Sequence, residues 1–288
     1  MTMRKKVLVT GSNGYIGRHV VDALLEQGHE VVAVDINNDA LCKDRDDLTV
    51  FDCSLFDNLT GNFERFGRPD VCIHLAWRNG FSHNADTHIG DLSTHYLFLK
   101  NLIDEGLKAV ACMGTMHEVG YFEGAIDEDS PCNPLSQYGI AKNALRQALI
   151  QYVGTKEDVK LFWLRAYYIL GDDMKNHSIF SKILQMEENG QKTFPFTSGK
   201  NLYDFIDVNE LAFQIALAST QDEVDGIINV CTGDPVSLGD KVNEFIEKHG
   251  LSIRPEYGAF PDRPYDSPGV WGNADKINLI KANAARNK

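Results

Sequence analysis

The chain has 288 residues, 43% hydrophobic and 24% charged, in the range of an ordinary soluble globular protein, which excludes disorder, collagen and coiled coil. Its 28 basic and 41 acidic residues leave a formal charge of −13, so no broad cationic surface for nucleic acid or anionic lipid is expected. The six cysteines (Cys42, Cys53, Cys72, Cys112, Cys132, Cys231) form no C-x-x-C pair and no cluster at metal spacing; they read as small hydrophobes in a reducing cytoplasm, with no metal implied.

In chain order, Val7–Thr10 reads as a strand, followed by Gly11, Gly14 and Gly17, then apolar residues at helical spacing from Ile16 to Leu25. Further apolar runs are Val31–Val34 ending in Asp35, Leu48–Phe51 ending in Asp52, Val71–Ala76, Ala109–Met113 and Leu161–Leu164. Helical stretches Leu92–Ile103 and Tyr138–Tyr152 fall between the later ones. Strands without alternation, separated by amphipathic helices, predict an α/β fold with a doubly wound parallel sheet covered on both faces. After Gly171 the elements shorten and polar loops (Asp172–His177, Thr197–Asn201) and prolines accumulate. The expected organisation is a dinucleotide-binding domain over 1–170, rejoined by 203–231, with a small substrate lobe from 171–202 and 232–288. No long apolar run suggests a membrane span.

Three glycines between a strand and a helix supply a tight turn, close backbone approach to a pyrophosphate and close helix packing, so a dinucleotide site is expected there. Asp35 ends the second strand, where a carboxylate accepts from an adenosine ribose and repels a 2′-phosphate. This argues for NAD and leaves NADP open. Asp52 is either an adenine contact or a solvated strand end.

Tyr138 and Lys142 stand at i and i+4 on one helix face, and a cation beside a phenol lowers its pKa toward working pH. Thr115, just past the fifth strand, offers a hydroxyl to the same substrate oxygen. His117 and Arg78 are candidate substrate contacts. His74, inside a strand run, reads as structural.

With these residues placed, the chain resembles the extended short-chain dehydrogenase/reductases of the nucleotide-sugar epimerase, reductase and dehydratase group. The resemblance rests on Thr10-Gly-Ser-Asn-Gly-Tyr-Ile-Gly17, Asp70–Ala76, Tyr203–Ala212, Asn229–Gly233 with Ser237, and Arg263-Pro-Tyr-Asp266. It implies Thr115, Tyr138 and Lys142 as catalytic residues. Taken together with the residue-by-residue reading, cofactor contacts are expected at Gly11, Asn13, Gly14, Tyr15, Ile16, Gly17, Asp35, Asp52, Cys53, Leu75, Ala76, Tyr138 and Lys142, and substrate contacts at Thr115, His117, Tyr168, Arg263 and Arg78, the last being otherwise a solvated Arg. A homodimer through two helices is also implied, with Leu92, Tyr96, Leu99, Leu145, Ala148, Leu149 and Tyr152 as its candidate face, although packing on the sheet alone also explains these residues.

Departures from the family pattern narrow the reaction. Dehydratases follow the active-site Thr with Asp-Glu, whereas Thr115 is followed by Met116-His117, and Glu118 comes one position too far. Tyr168 stands where many epimerases have the Asn that touches the diphosphate. The expected activity is reduction of a nucleotide-linked 4-keto-6-deoxyhexose at C4, with Tyr138 as general acid. The alternatives are a nucleotide-sugar 4-epimerase with tightly bound NAD and, further off, a non-catalytic dinucleotide-binding protein.

Overall fold

The computed structural model describes residues 3–171, 179–262 and 266–286. Its first half contains β1 (Lys6–Thr10), α1 (Tyr15–Glu26), β2 (Glu30–Asp35), β3 (Leu48–Asp52), α2 (Asn62–Arg65), β4 (Val71–His74), α3 (Thr87–Gly90) and α4 (Leu92–Glu105). Then follow β5 (Ala109–Thr115), a 3-10 turn (Met116–Glu118), β6 (Gly124–Ile126), α5 (Gln137–Val153), β7 (Lys160–Ala166), β8 (Tyr168–Leu170), α6 (Ile179–Glu188) and β9 (Thr193–Pro195). The chain ends with β10 (Leu202–Asp207), α7 (Val208–Thr220), β11 (Gly226–Val230), β12 (Pro235–Ser237), α8 (Leu238–Lys248), β13 (Arg254–Glu256), β14 (Gly269–Gly272) and α9 (Asp275–Arg286).

Seven parallel strands form the main sheet in the order β11-β7-β5-β4-β1-β2-β3. The order reverses between β1 and β4, and open α/β sheets take ligands at the carboxyl ends beside that point. Side chains alternate across the sheet. Val7 and Val9 therefore join Val20, Leu24, Ile215 and Ile277 on one face, while Leu8 joins Phe98, Leu99, Leu145 and Trp163 on the other. Each face is a closed apolar layer, which is why these strands show no polar alternation in the sequence.

A second sheet, β12-β10-β14-β6 with β8 on β10, and a two-stranded β9-β13 pair build the rest around Phe194, Phe205, Val242 and Val270. Within 203–231, β10 pairs in this second sheet, while α7 packs on α1 and β11 pairs with β7 in the first. Leu99, Leu145 and Leu149 are buried under the main sheet; the apolar side chains facing outward on α4 and α5 are Leu97, Ile140 and Ile150. No helix among the described residues is long and apolar enough to cross a membrane.

Candidate active site

The glycine turn is built by close contact. Gly11 takes φ +72°, and a Cβ on Gly17 would stand 1.9 Å from the Gly11 carbonyl, so α1 approaches β1 as no side chain would allow. Gly14 caps α1, with no side-chain cap and no acidic residue in the first turn. The first N–H groups of α1 are thus uncancelled by a local carboxylate and offer the positive end of the helix to an anion. Beside them opens a cavity of about 390 Å³, lined by Gly11, Gly14, Asp35, Cys53, Leu75, Ala76, Trp77 and Arg78 among others. These features fit a dinucleotide.

Asp35 accepts the Asn13 N–H at 3.0 Å and the Ile36 N–H at 2.7 Å, so the carboxylate also fixes the turn it faces. The Asn13 side chain holds the following loop, donating to Asn37 and accepting from Ala40. Asp52 accepts from Asn38 at 2.9 Å and, like Asn13, Tyr15, Ile16 and Gly17, is outside the cavity lining. Ile16 packs on the core of the first sheet face. Arg78 makes a two-pronged pair with Asp91 (2.8 and 2.7 Å) and lines the same cavity.

Tyr138 lies in the first turn of α5, which Ser136 caps by accepting the Gly139 N–H. A Cβ on Gly139 would stand 2.3 Å from the His117 carbonyl, so this glycine lets the turn after β5 close onto the helix start. The loop after β4 closes from the other side, where the Tyr138 N–H donates to the His83 carbonyl at 2.8 Å. Tyr138 is thereby enclosed by aromatic rings. His83 stacks on it (5.4 Å between centroids, 15°), and His88, His117 and Trp77 lie at 5.3, 6.1 and 6.2 Å. Burial pushes the Tyr138 phenol up, with Glu118 adding to the rise and a hydrogen bond with Thr115 opposing it.

Lys142 is 3% exposed, and burial lowers its ammonium to about 8. The ammonium donates to the Met113 carbonyl at 2.9 Å and lies 3.8 Å from the centre of the Trp77 indole, but 5.9 Å from that of the Tyr138 ring. Sequence reasoning has the cation lowering the phenol's pKa; here burial dominates and the phenol stands above its ordinary value.

Thr115 ends β5 and starts the 3-10 turn as half of a capping box: its hydroxyl accepts the His117 N–H, and the Glu118 carboxylate accepts the Thr115 N–H. Glu118 is fully buried, turned inward onto Trp163, Arg165 and Arg146. His117 reaches Tyr138 and His83, and burial pulls it down to about 4.

Tyr168 instead sits in the lobe core, ring to ring with Tyr203 at 4.4 Å, so two positions that depart from the family pattern pack on each other. Arg263 and the Asp172–His177 loop lie outside the described residues. A second cavity, about 460 Å³ between β8, β10 and α8, is lined by none of the sequence-predicted site residues. Sequence reasoning missed Trp77 as a partner of Lys142, and His83, His88 and His95 altogether. The available signal was a large aromatic directly after cavity-lining Ala76, in a segment dense in histidine.

The family model described as NAD dependent epimerase/dehydratase family matches residues 7–231. The chain is 43% identical over 267 residues, 92% of its length and 98% of the relative's, to the dTDP-6-deoxy-L-talose 4-dehydrogenase (NAD(+)) of Aggregatibacter actinomycetemcomitans. Among solved structures, a UDP-glucose-4-epimerase from Stenotrophomonas maltophila with bound NAD and formylated UDP-arabinopyranose matches with a TM-score of 0.80 at 19% identity, over 96% of this chain and 92% of that one. The Bordetella bronchiseptica enzyme WbmG in complex with NAD matches with a TM-score of 0.75 at 22% identity, over 96% and 88%. At such identities these two similarities speak to the fold.

Proposed function

The chain belongs to the NAD dependent epimerase/dehydratase family, and on that premise we propose that it interconverts the 4-keto and 4-hydroxyl forms of a dTDP-linked 6-deoxyhexose with NAD as coenzyme. The observation that carries this reading is the 43% identity across 98% of a 4-dehydrogenase of that substrate class. The inward-turned Glu118 supports it, because the turn after Thr115 then brings no carboxylate to a sugar for dehydration.

In this reading the first turn of α1 takes the pyrophosphate and Asp35 the adenosine ribose, with Cys53, Leu75 and Ala76 lining the cleft. When bound, the coenzyme supplies or accepts the hydride at the sugar C4. Tyr138 gives its proton to the C4 oxygen in reduction and takes it back in oxidation, and the Thr115 hydroxyl orients that oxygen. Lys142 stabilises the phenolate left on Tyr138 and binds the nicotinamide ribose. The histidine and tryptophan rings around Tyr138 exclude water from it. His117 is a further substrate contact beside Tyr138, and Arg78 acts from the cofactor side.

Residues 1–170 and 203–231 form the dinucleotide-binding unit in this proposal, and 171–202 and 232–288 the sugar-nucleotide lobe, to which Arg263 contributes. A homodimer through the outer face of α4 and α5 would cover Leu97, Ile140 and Ile150, and six free cysteines suit a reducing cytoplasm.

The test is direct. Purified protein given a dTDP-4-keto-6-deoxyhexose and NADH should consume NADH in step with product, and dTDP-6-deoxytalose with NAD should run the reaction back. Interconversion of UDP-hexoses with no net change in NADH would replace this reading with the epimerase.

A further inference from the structure

Trp77 belongs to neither the glycine turn nor the Thr115, Tyr138 and Lys142 set, yet it touches both regions: it lines the dinucleotide cavity, meets Tyr138 edge-on, and presents its face to the Lys142 ammonium at 3.8 Å. Its orientation is fixed from two sides. The indole N–H donates to His88 Nδ1 at 3.0 Å, and the ring stacks on His95 at 4.5 Å and 13°. His95 is anchored in turn through His74 to Thr10, a buried row of 2.9 and 2.8 Å contacts that starts at the end of β1.

Lys142 needs such a partner. Each element packed around it brings a titratable group: Cys112 from β5, His74 from β4, His95 from α4, Glu118 from the 3-10 turn and Tyr138 from its own helix. Burial keeps the Cys112 thiol protonated, up to about 12, and the two histidines neutral, so none of these three offsets the ammonium. Glu118 does, but it is already shared between Arg165 and Arg146. Among the described residues, the direct partners left are one carbonyl, that of Met113, and the indole face. Aromatic faces attract cations electrostatically, most strongly where water is excluded.

We propose that Trp77 is a positioning residue for Lys142: its indole face holds the ammonium charged and in place behind the wall that Trp77 forms in the cleft. Trp77 thus contributes through Lys142. The proposal rests on the reading of Lys142 as the functional cation only for its consequence in turnover; the pairing itself is a property of the protein without ligand.

The full-length protein with lysine Cε labelled with carbon-13 tests it, the Lys142 resonance being assigned from the spectrum of Lys142→Arg. Trp77→Leu keeps apolar bulk without a π face and should lower the Lys142 titration midpoint by about one unit, whereas Trp77→Phe should keep most of it. The alkaline limb of kcat for keto-sugar reduction should move with the midpoint. An unmoved Lys142 midpoint in Trp77→Leu, or an equal fall in Trp77→Phe, would overturn the proposal. Should Trp77→Leu not fold, Trp77→Met carries the same comparison. A midpoint that falls while the kcat limb stays upholds the pairing and removes Lys142 from the proposed mechanism, so the two failures are told apart.

Discussion

The carboxylate of Glu118 accepts the backbone N–H of Thr115 at 2.7 Å, closing the turn that follows β5. The carboxylate nearest in sequence to Thr115 thus braces the turn that carries the Thr115 hydroxyl. The buried guanidinium of Arg165 at 3.7 Å and the half-buried one of Arg146 at 3.6 Å depend on the same carboxylate. Glu118→Ala leaves both uncompensated, and breaking a buried pair from one side costs about 3–5 kcal/mol. Chemical denaturation should show a loss of that order, with weaker turnover in the protein that still folds. A variant of wild-type stability would mean that the network contributes nothing.

Tyr138→Phe removes only the phenolic oxygen from a ring held by His83, His88 and Trp77. Proton transfer by a positioned side chain contributes about 10²–10⁴-fold. Single-turnover hydride transfer should slow by that factor, while NADH affinity and melting temperature stay near wild type. Undiminished transfer would remove Tyr138 from the mechanism.

Asp35 holds the glycine turn through Asn13 and lines the adjoining cavity, where the proposed function brings a ribose hydroxyl or a 2′-phosphate. Asp35→Ser should weaken NADH binding, both by freeing the turn and by losing the ribose contact, yet relieve repulsion of NADPH. The ratio of the two dissociation constants, measured by direct titration, should shift toward NADPH by at least about tenfold, or 1.4 kcal/mol. A loss equal for both coenzymes would assign Asp35 to the turn alone.

How far the sequence carries is decided by the range of the interactions. Apolar runs such as Val31–Val34 and Val71–Ile73 announce the main sheet because their burial on both faces is written into consecutive residues. The second sheet has strands of three residues, β6, β8 and β12, with no period to read, and β6 pairs with β14 across some 145 positions. At the site, the glycine turn and the Tyr138–Lys142 pair are local spacings and are legible. The packing of Trp77 on Lys142 is not, because a loop after β4 must first fold over the start of α5, bonded there through His83 and Asn84. The same limit applies to the phenol: i, i+4 spacing placed Lys142 on the right face but not its ammonium, which turns to Met113 and the indole.

Three histidines packed around Trp77 and Tyr138, and His74 behind His95, make the fold acid-sensitive. Burial holds His74, His83, His95 and His117 below their ordinary value of 6.5, with His95 near 3 and His117 near 4. An unfolded chain protonates each of them near 6.5 while the folded one resists, so the unfolded state binds more protons throughout the interval between. Stability is therefore complete above about pH 6.5 and falls as pH drops from there toward 4. Carboxylates whose native values are lowered contribute mainly below about pH 5, and Glu118, raised by burial, takes up its proton with the opposite sign, so the fall between about 5 and 6.5 belongs to the histidines. Denaturant midpoints measured across this range should decline steadily with acid, and His117→Phe, which keeps a ring against His83 and Tyr138, should flatten part of the decline. A level profile through the whole interval would show that these side chains take up protons as readily in the folded protein as outside it, and that the cluster around Tyr138 is open to water.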